Sequence, residues 1–422
     1  MKQRPNVKNK NAKTGSGKGL VYFLSFIIPI AIMLLAYSIV QFYPVGDRSP
    51  LTIDLYHQYV AFLSEFKRKI AASASLFYSW SIGLGTNFYA LLAYYAASPM
   101  NWLLVFFPMS HITEAVTFLT VTKLGFAGLF FAILLKNELC PQGLYTIRDE
   151  EDLTRLGKEG HGTDAWIVTF SVAYALCAFQ LAFSWDIMWL DVTAMLPLVI
   201  LGLNRLIKEG RSGLYIFSLA FCLLANYYIA FFVCFFVALY FFVAFITARA
   251  GEEEMLKRRR SRVVTRSDRL TLEEGFYLKD LKIRFWPVAI RFAVMTLIAA
   301  AVSMILLLPT AISLADTSAA GDKFPTSWSF RFSLFDFMTH QLATMSPSIR
   351  DGLPNVYNGI LALIFLPLYI FSDRIPMKEK LAHLSLLAFL FLSFNANGLD
   401  FIWHGLHYPN QLPYRYSFLF SF

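Results

Sequence analysis

A chain of 422 residues that is 57% hydrophobic and only 15% charged lacks the surface of a water-soluble domain, where about 25% charged residues is ordinary. Its net charge of +9 comes from clusters of Lys and Arg beside apolar runs. No basic stripe is interleaved with exposed aromatic residues, which excludes a nucleic-acid groove and nucleic-acid partners. The composition predicts an all-α, polytopic integral membrane protein in contact with membrane lipids.

In chain order, Lys2, Arg4, Lys8, Lys10, Lys13 and Lys18 precede the first apolar run, residues 20–42. The run exceeds the core of about 7–15 residues of a signal peptide, and no small-residue cleavage site follows it. Residues 1–19 therefore read as a basic cytoplasmic tail and residues 20–422 as the transmembrane domain. A span needs about 20 apolar residues. Candidate spans are 20–42, 113–135, 165–183, 187–207, 214–225, 228–246, 286–308, 357–371 and 381–394. A tenth begins near Tyr414, so about nine to ten transmembrane helices are expected. The short run 214–225 ends at Asn226-Tyr227-Tyr228, so 214–246 reads equally as one broken or re-entrant unit. The last run stops at Phe422, about nine residues in and too short to cross, which suggests a chain truncated at its C-terminus.

Orientation follows from Lys and Arg. The basic tail, the turn with Arg205, Lys208 and Arg211, the loop with Arg249, Lys257, Arg258, Arg259 and Arg260, and the turn with Arg374, Lys378 and Lys380 all fall on one side by alternate counting. That side is the cytoplasm. Loops 43–112 and 309–355 are then external. In the first, Tyr59, Phe62, Leu63, Phe66 and Ile70 recur at helical spacing, with Glu65, Lys67, Arg68 and Lys69 between them. This predicts an amphipathic helix over 55–71 lying along the membrane surface. Gly83 and Gly85 mark a tight turn. Residues 88–107 are apolar but interrupted at Ser98-Pro99. They read as interfacial or re-entrant helices, because a full span would invert every later loop.

Four cysteines, Cys140, Cys177, Cys222 and Cys234, lie far apart and form no CxxC pair. They read as small buried hydrophobes, without a disulfide framework or zinc site. His404 and His407 are spaced for a shared metal, but no third ligand lies nearby, so no metal site is assigned. Nucleotide, zinc-protease and serine-hydrolase signatures are missing.

The residues able to carry chemistry gather in the expected external loops. Asp54 stands just past the first span, among Tyr56, His57, Gln58 and Tyr59. It reads as a helix N-cap or as a base. Asp186 and Asp191 start the run at 187. Asp191 lies deeper, where an ionised group is costly and functional by default, and so is favoured over Asp186. Two carboxylates converging from separate loops could position and deprotonate an acceptor hydroxyl. Arg331, His340 and Arg415 could hold a phosphate headgroup, Arg bidentately; for the arginines, snorkelling is the plain alternative. Trp80 could stack on a sugar, or anchor at the interface as membrane aromatics do.

Six segments in order resemble the bacterial YfhO family of membrane proteins. They are Asp54-Leu55-Tyr56-His57-Gln58-Tyr59, the stretch Leu76 to Gly85, Trp189-Leu190-Asp191, Asn226-Tyr227-Tyr228-Ile229, Pro354-Asn355-Val356-Tyr357-Asn358-Gly359, and Pro409-Asn410-Gln411-Leu412-Pro413-Tyr414-Arg415. The resemblance implies a GT-C-like fold and a glycosyltransferase using a polyprenyl-phosphate sugar as co-substrate, with no other cofactor; whether a divalent metal assists is left open. It places Asp54 at the acidic position of the first external loop. It further implies an envelope acceptor such as lipoteichoic acid, at the outer face of the cell membrane of a Gram-positive bacterium. The alternatives are a transporter or flippase of a lipid-linked saccharide, suited by the broken segments at Ser98-Pro99 and Asn226-Tyr227, or a non-catalytic scaffold. Against the transporter, the inner side shows no matching polar cluster in the sequence.

Overall fold

The computed structural model describes residues 16–139, 150–264, 283–315, 323–343, 345–409 and 411–422. Residues 1–15 of the basic tail, Cys140 and the middles of the two long polar loops, 140–149 and 265–282, lie outside the described residues.

Among the described residues the regular elements are helices apart from one two-stranded hairpin. Helix α1 (Ser16–Val40) leads into a folded loop. That loop holds a π-helical turn (Leu55–Tyr59), α2 (Val60–Ala71), strands β1 (Tyr78–Ser79) and β2 (Thr86–Asn87), α3 (Phe88–Leu91), a second π-helical turn (Leu92–Ala96) and 3-10 helices Pro99–Phe106 and Met109–His111. Then come α4 (Ile112–Leu139), α5 (Glu150–Ala175), α6 (Ala178–Ala182), α7 (Ile187–Glu209), α8 (Gly213–Ala225), α9 (Tyr227–Val264) and α10 (Phe285–Ala315). The rest comprises α11 (Leu334–Thr339), α12 (Ile360–Phe371), α13 (Met377–Asn395), α14 (Asn397–Trp403) and α15 (Phe418–Ser421).

Among the described residues six helices are long and apolar enough to cross a membrane: Gly19–Val40, Met109–Leu139, Thr163–Ala182, Ile187–Glu209, Tyr227–Glu253 and Phe285–Ala315. Gly213–Ala225 and Ile360–Phe371 are shorter apolar helices. The six agree with expected runs; 214–225 and 357–371 correspond to the short ones, and 381–394 lies within α13.

Helix α7 is the axis of the bundle, buried along its whole apolar length between α4, α8 and α9. Small residues permit the close crossings that hold membrane helices together. A Cβ on Gly202 would run into the backbone of Leu214 and Tyr215 on α8, and one on Gly128 of α4 into the Ser25 carbonyl of α1. Between α8 and α9, Asn226 alone leaves the helical conformation, with φ −159° and ψ 105°. Its Oδ1 accepts from Ile229 N at 2.9 Å, capping α9, and its Nδ2 donates to the Tyr94 carbonyl at 2.8 Å. Residues 214–246 are thus a broken unit, snapped at one residue whose amide replaces the lost helical bonds.

The loop between α1 and α4 contains no span, in keeping with the charge pattern. Helix α2 differs from expectation. Of its charged side chains Arg68 is exposed, but Glu65, Lys67 and Lys69 are buried and do not face open water. Lys67 Nζ donates to the Leu104 carbonyl at 2.9 Å, and Lys69 Nζ to the Ser75 and Tyr78 carbonyls at 2.8 and 2.7 Å. Glu65 is also buried and accepts from Ser79 Oγ at 2.6 Å. The periodicity of α2 showed only its apolar face; backbone carbonyls from residues 75–78 and 104 roof the polar one.

Candidate functional site

Asp54 ends the irregular stretch after α1 and leads into the π-helical turn Leu55–Tyr59, a geometry frequent at functional sites. Its side chain makes no capping hydrogen bond, so the N-cap reading does not hold. The same turn buries Tyr59 and exposes Tyr56, His57 and Gln58. Tyr59 is the hub. Its hydroxyl donates to Asp186 Oδ1 at 2.9 Å and lies 3.5 Å from Asp54 Oδ2, the outer limit of such a bond. Its ring stacks parallel to Trp185 with centroids 6.2 Å apart and packs on Tyr95 at 5.3 Å.

Asp186 immediately precedes α7 and is fully buried. Its Oδ2 has no hydrogen-bond partner among the described residues. Burial pushes its carboxyl well above the usual range, while the Tyr59 hydrogen bond and the charge of Arg415 pull it back down. Arg415 sits in a tight turn where Leu412 and Tyr414 both take positive φ, 59° and 57°, a strained backbone for non-glycine residues. Its Nε donates to the Leu412 carbonyl at 3.1 Å and its Nη2 to the Gln411 carbonyl at 2.9 Å. The guanidinium lies 5.7 Å from the Trp189 ring centre and 5.3 Å from that of Tyr228, within cation–π range. Tyr94 joins the same group, packing near Tyr228 and within reach of the field of Arg415.

The structure therefore brings Asp54, Tyr59, Asp186 and Arg415 together and leaves Asp191 elsewhere. Asp191 is fully buried on α7, paired with Lys123 of α4 at 2.6 Å; Lys123 also donates to the Ile187 carbonyl at 3.0 Å. It is Asp186, and not the favoured Asp191, that shares the Tyr59 hydroxyl with Asp54. Five residues along α7, Asp191 points into the α4 packing instead of the cluster, and Lys123 neutralises it there.

Arg331 pairs with Asp400 at 2.7 Å and lies over the Tyr414 ring at 5.7 Å, next along the chain to Arg415. Asp400 also accepts from Tyr416 at 2.9 Å and lies 3.3 Å from His404. Burial alone would raise the Asp400 carboxyl; His404 and Arg331 together bring it below its ordinary value. His404 is thus engaged with Asp400. His340 is half-buried at the end of α11, and Trp80 stands 78% exposed at the hairpin; both lie apart from the cluster contacts. Among the described residues no three His, Cys, Asp or Glu side chains gather as a metal site would need.

Sequence reading missed Lys123, Tyr94, Tyr95, Trp185 and Tyr228. Lys123 did carry a signal, a cation in mid-span. Tyr228 lay in a quoted segment without being singled out, and Tyr94, Tyr95 and Trp185 carried no signal, since aromatic residues are frequent throughout the chain.

A family model described as bacterial membrane protein YfhO matches residues 25–147 and 155–422. The chain belongs to that family. No curated protein and no solved structure matches it. Membership and the six long apolar helices together make this YfhO-family chain a multi-pass membrane protein. The Asp54, Asp186 and Arg415 segments all lie inside the matched region.

At the opposite end of α7, about 30 Å away by helix rise, α4, α7, α9, α13 and the C-terminal residues Leu419, Phe420 and Phe422 line an open cavity of about 390 Å³. Its walls are mostly apolar, including Leu134, Phe236, Leu390 and Phe422, and its polar groups include Glu138, Asn204, Lys208, Glu379 and His383. The sequence showed no polar cluster at that end beyond the basic turn with Lys208; these residues come from separate helices and meet only in the fold.

Proposed function

We propose that this YfhO-family protein is a membrane glycosyltransferase that moves a sugar from a polyprenyl-phosphate carrier to a hydroxyl of a cell-envelope acceptor, such as lipoteichoic acid, on the outer face of the membrane. The observation that carries the reading is the Tyr59 hydroxyl set between Asp54 and Asp186, with Arg415, near the Trp189 and Tyr228 rings, close enough for its charge to act on Asp186. A partly exposed carboxylate, a buried one and a fixed cation are the parts a displacement at a phosphate-linked sugar requires. The Lys and Arg distribution supports this end being external.

In the reaction, the acceptor oxygen attacks the anomeric carbon in a single displacement with inversion. The bond from that carbon to the carrier phosphate breaks, and the phosphate leaves with the electron pair. Asp54 takes the acceptor's proton, a role worth about 10²–10⁴ in rate. Arg415 stabilises charge developing on the phosphate, the task for which preorganised cations are most effective; Arg331, one residue from it through Tyr414, is the second cation. Asp186 fixes Tyr59 and, through it, the Asp54 carboxylate. Asp191 is assigned to packing. Purified protein in detergent, given labelled polyprenyl-phosphate sugar and an envelope acceptor, tests this. Transfer that disappears in Asp54→Asn supports it; no transfer with any lipid-linked donor refutes it.

The cavity at the other end favours a second reading, a transporter of the lipid-linked saccharide, since polar groups then mark both ends of the bundle. Movement of labelled lipid across liposomes without transfer would select it.

A further inference from the structure

Residues 70–110 contain no charged side chain, although water-facing protein averages about 25% charged. Within them lies the hairpin of β1 and β2. Its base is tied to polar groups on α2: Ser79 Oγ to Glu65 and the Tyr78 carbonyl to Lys69 Nζ, at 2.6 and 2.7 Å. Its turn is apolar and bare, with Leu84 98% and Trp80 78% exposed, and Phe77 70% exposed beside the first strand. The turn is built to stand out. Gly83 and Gly85 take positive φ, 57° and 112°, and a Cβ on Gly85 would strike the Tyr78 ring. A side chain at Gly85 would require the Tyr78 ring to move.

The far strand leads directly onto α10. Asn87 Nδ2 donates to Ser313 Oγ at 2.9 Å, and Tyr89 Oη donates to the Ile305 carbonyl at 2.7 Å. These two positions lie about 12 Å apart along the helix axis, so the segment runs down the side of a membrane-spanning helix. The outer side of α10 is exposed and apolar, at Leu297, Val302, Ile305, Leu308 and Ile312 among others. An exposed apolar face on a helix of membrane-spanning length is the kind that suits lipid, and the end of the hairpin is hydrogen-bonded to the same helix.

We propose that the hairpin turn is a lipid anchor, with Trp80 and Leu84 buried in the headgroup and acyl boundary of the leaflet next to α10. Large apolar side chains gain by leaving water, and Trp is preferred at that depth. The anchor sets the height of the site above the bilayer, because the same strand continues through α3 to Tyr94 and Tyr95, which pack against Tyr228 and Tyr59.

The test needs no substrate and stands apart from the transferase reading. The full chain, its four native cysteines replaced by alanine, receives Leu84→Cys or, as a water-facing reference, Asp351→Cys. Each is labelled with an NBD fluorophore and placed in phosphatidylglycerol–phosphatidylethanolamine vesicles. At position 84, lipids brominated along the acyl chain are expected to quench strongly, and aqueous iodide several-fold less than at 351. Iodide quenching equal to that at 351, with no effect of brominated lipid, would overturn the anchor and make the turn a water-exposed lid or partner surface. Should the cysteine-free chain fail to fold, the difference in tryptophan quenching by the same lipids between the native chain and Trp80→Phe decides the question: loss of a lipid-quenched component supports the anchor, and no loss refutes it.

Discussion

Tyr59 and Asp186, 127 residues apart in the chain, share a buried hydrogen bond of 2.9 Å. That bond ties the folded loop after α1 to the start of the central helix, and it is made by two groups that each lose hydration on folding. Removing the hydroxyl leaves the carboxyl of Asp186 without its main partner.

Tyr59→Phe is therefore expected to lower stability by about 1–3 kcal/mol, the cost of leaving a buried polar group unsatisfied. Thermal unfolding in detergent measures this. An unchanged midpoint would mean that water or Arg415 takes over the bond. Asp186→Asn, which still accepts from Tyr59, is expected to fold close to normally.

Asp54 is half-exposed and caps nothing. Asp54→Asn should leave stability within about 0.5 kcal/mol, as for substitutions away from packed features. Under the transferase reading it should cost about 10²–10⁴ in rate, the usual contribution of a general base. Full activity with normal folding would remove Asp54 from the chemistry.

The Lys123–Asp191 pair makes the opposite prediction. Both side chains are fully buried, so removing one leaves a buried charge without its counterion. Lys123→Met or Asp191→Leu alone should destabilise by about 3–5 kcal/mol, whereas the double substitution should recover most of the loss. Activity per folded molecule should survive the double substitution. Loss of activity in a stable double variant would return Asp191 to the site.

Glu65 sets a pH dependence. The Arg68 hydrogen bond, then that of Ser79, holds its carboxyl below the usual range against the opposing effect of burial. The folded state thus favours the ionised form. This contribution is fully present above the unfolded value of about 4.3 and is lost as pH falls through the lower folded value. Hydrogen exchange over residues 75–80 should accelerate in that acid window, and Glu65→Gln should remove the acid dependence. An acid response that persists in Glu65→Gln would place its origin elsewhere.

Much was legible from the chain alone. Long apolar runs bounded by Lys and Arg clusters reveal the six long helices, because spanning a hydrocarbon layer demands length and low charge from each segment by itself. The same local logic marks the break at Asn226, the glycine turn at 83–85 and the absence of a span in 88–107. Asp54 and Arg415 could be singled out as candidates because polar groups just beyond apolar runs stand out. The choice between Asp186 and Asp191 was not recoverable this way. Five residues on a helix turn two carboxylates to different neighbours, and only the packing of α4 against α7 brings Lys123 to one and the fold of the first loop brings Tyr59 to the other. The buried lysines of α2 were hidden for the same reason: their partners are backbone carbonyls, which every residue possesses and no sequence pattern announces. Membrane class and span placement follow from short-range chemistry written into each segment, while the identity of the acid beside Asp54 depends on which distant side chains share a buried space, and that is settled by tertiary packing alone.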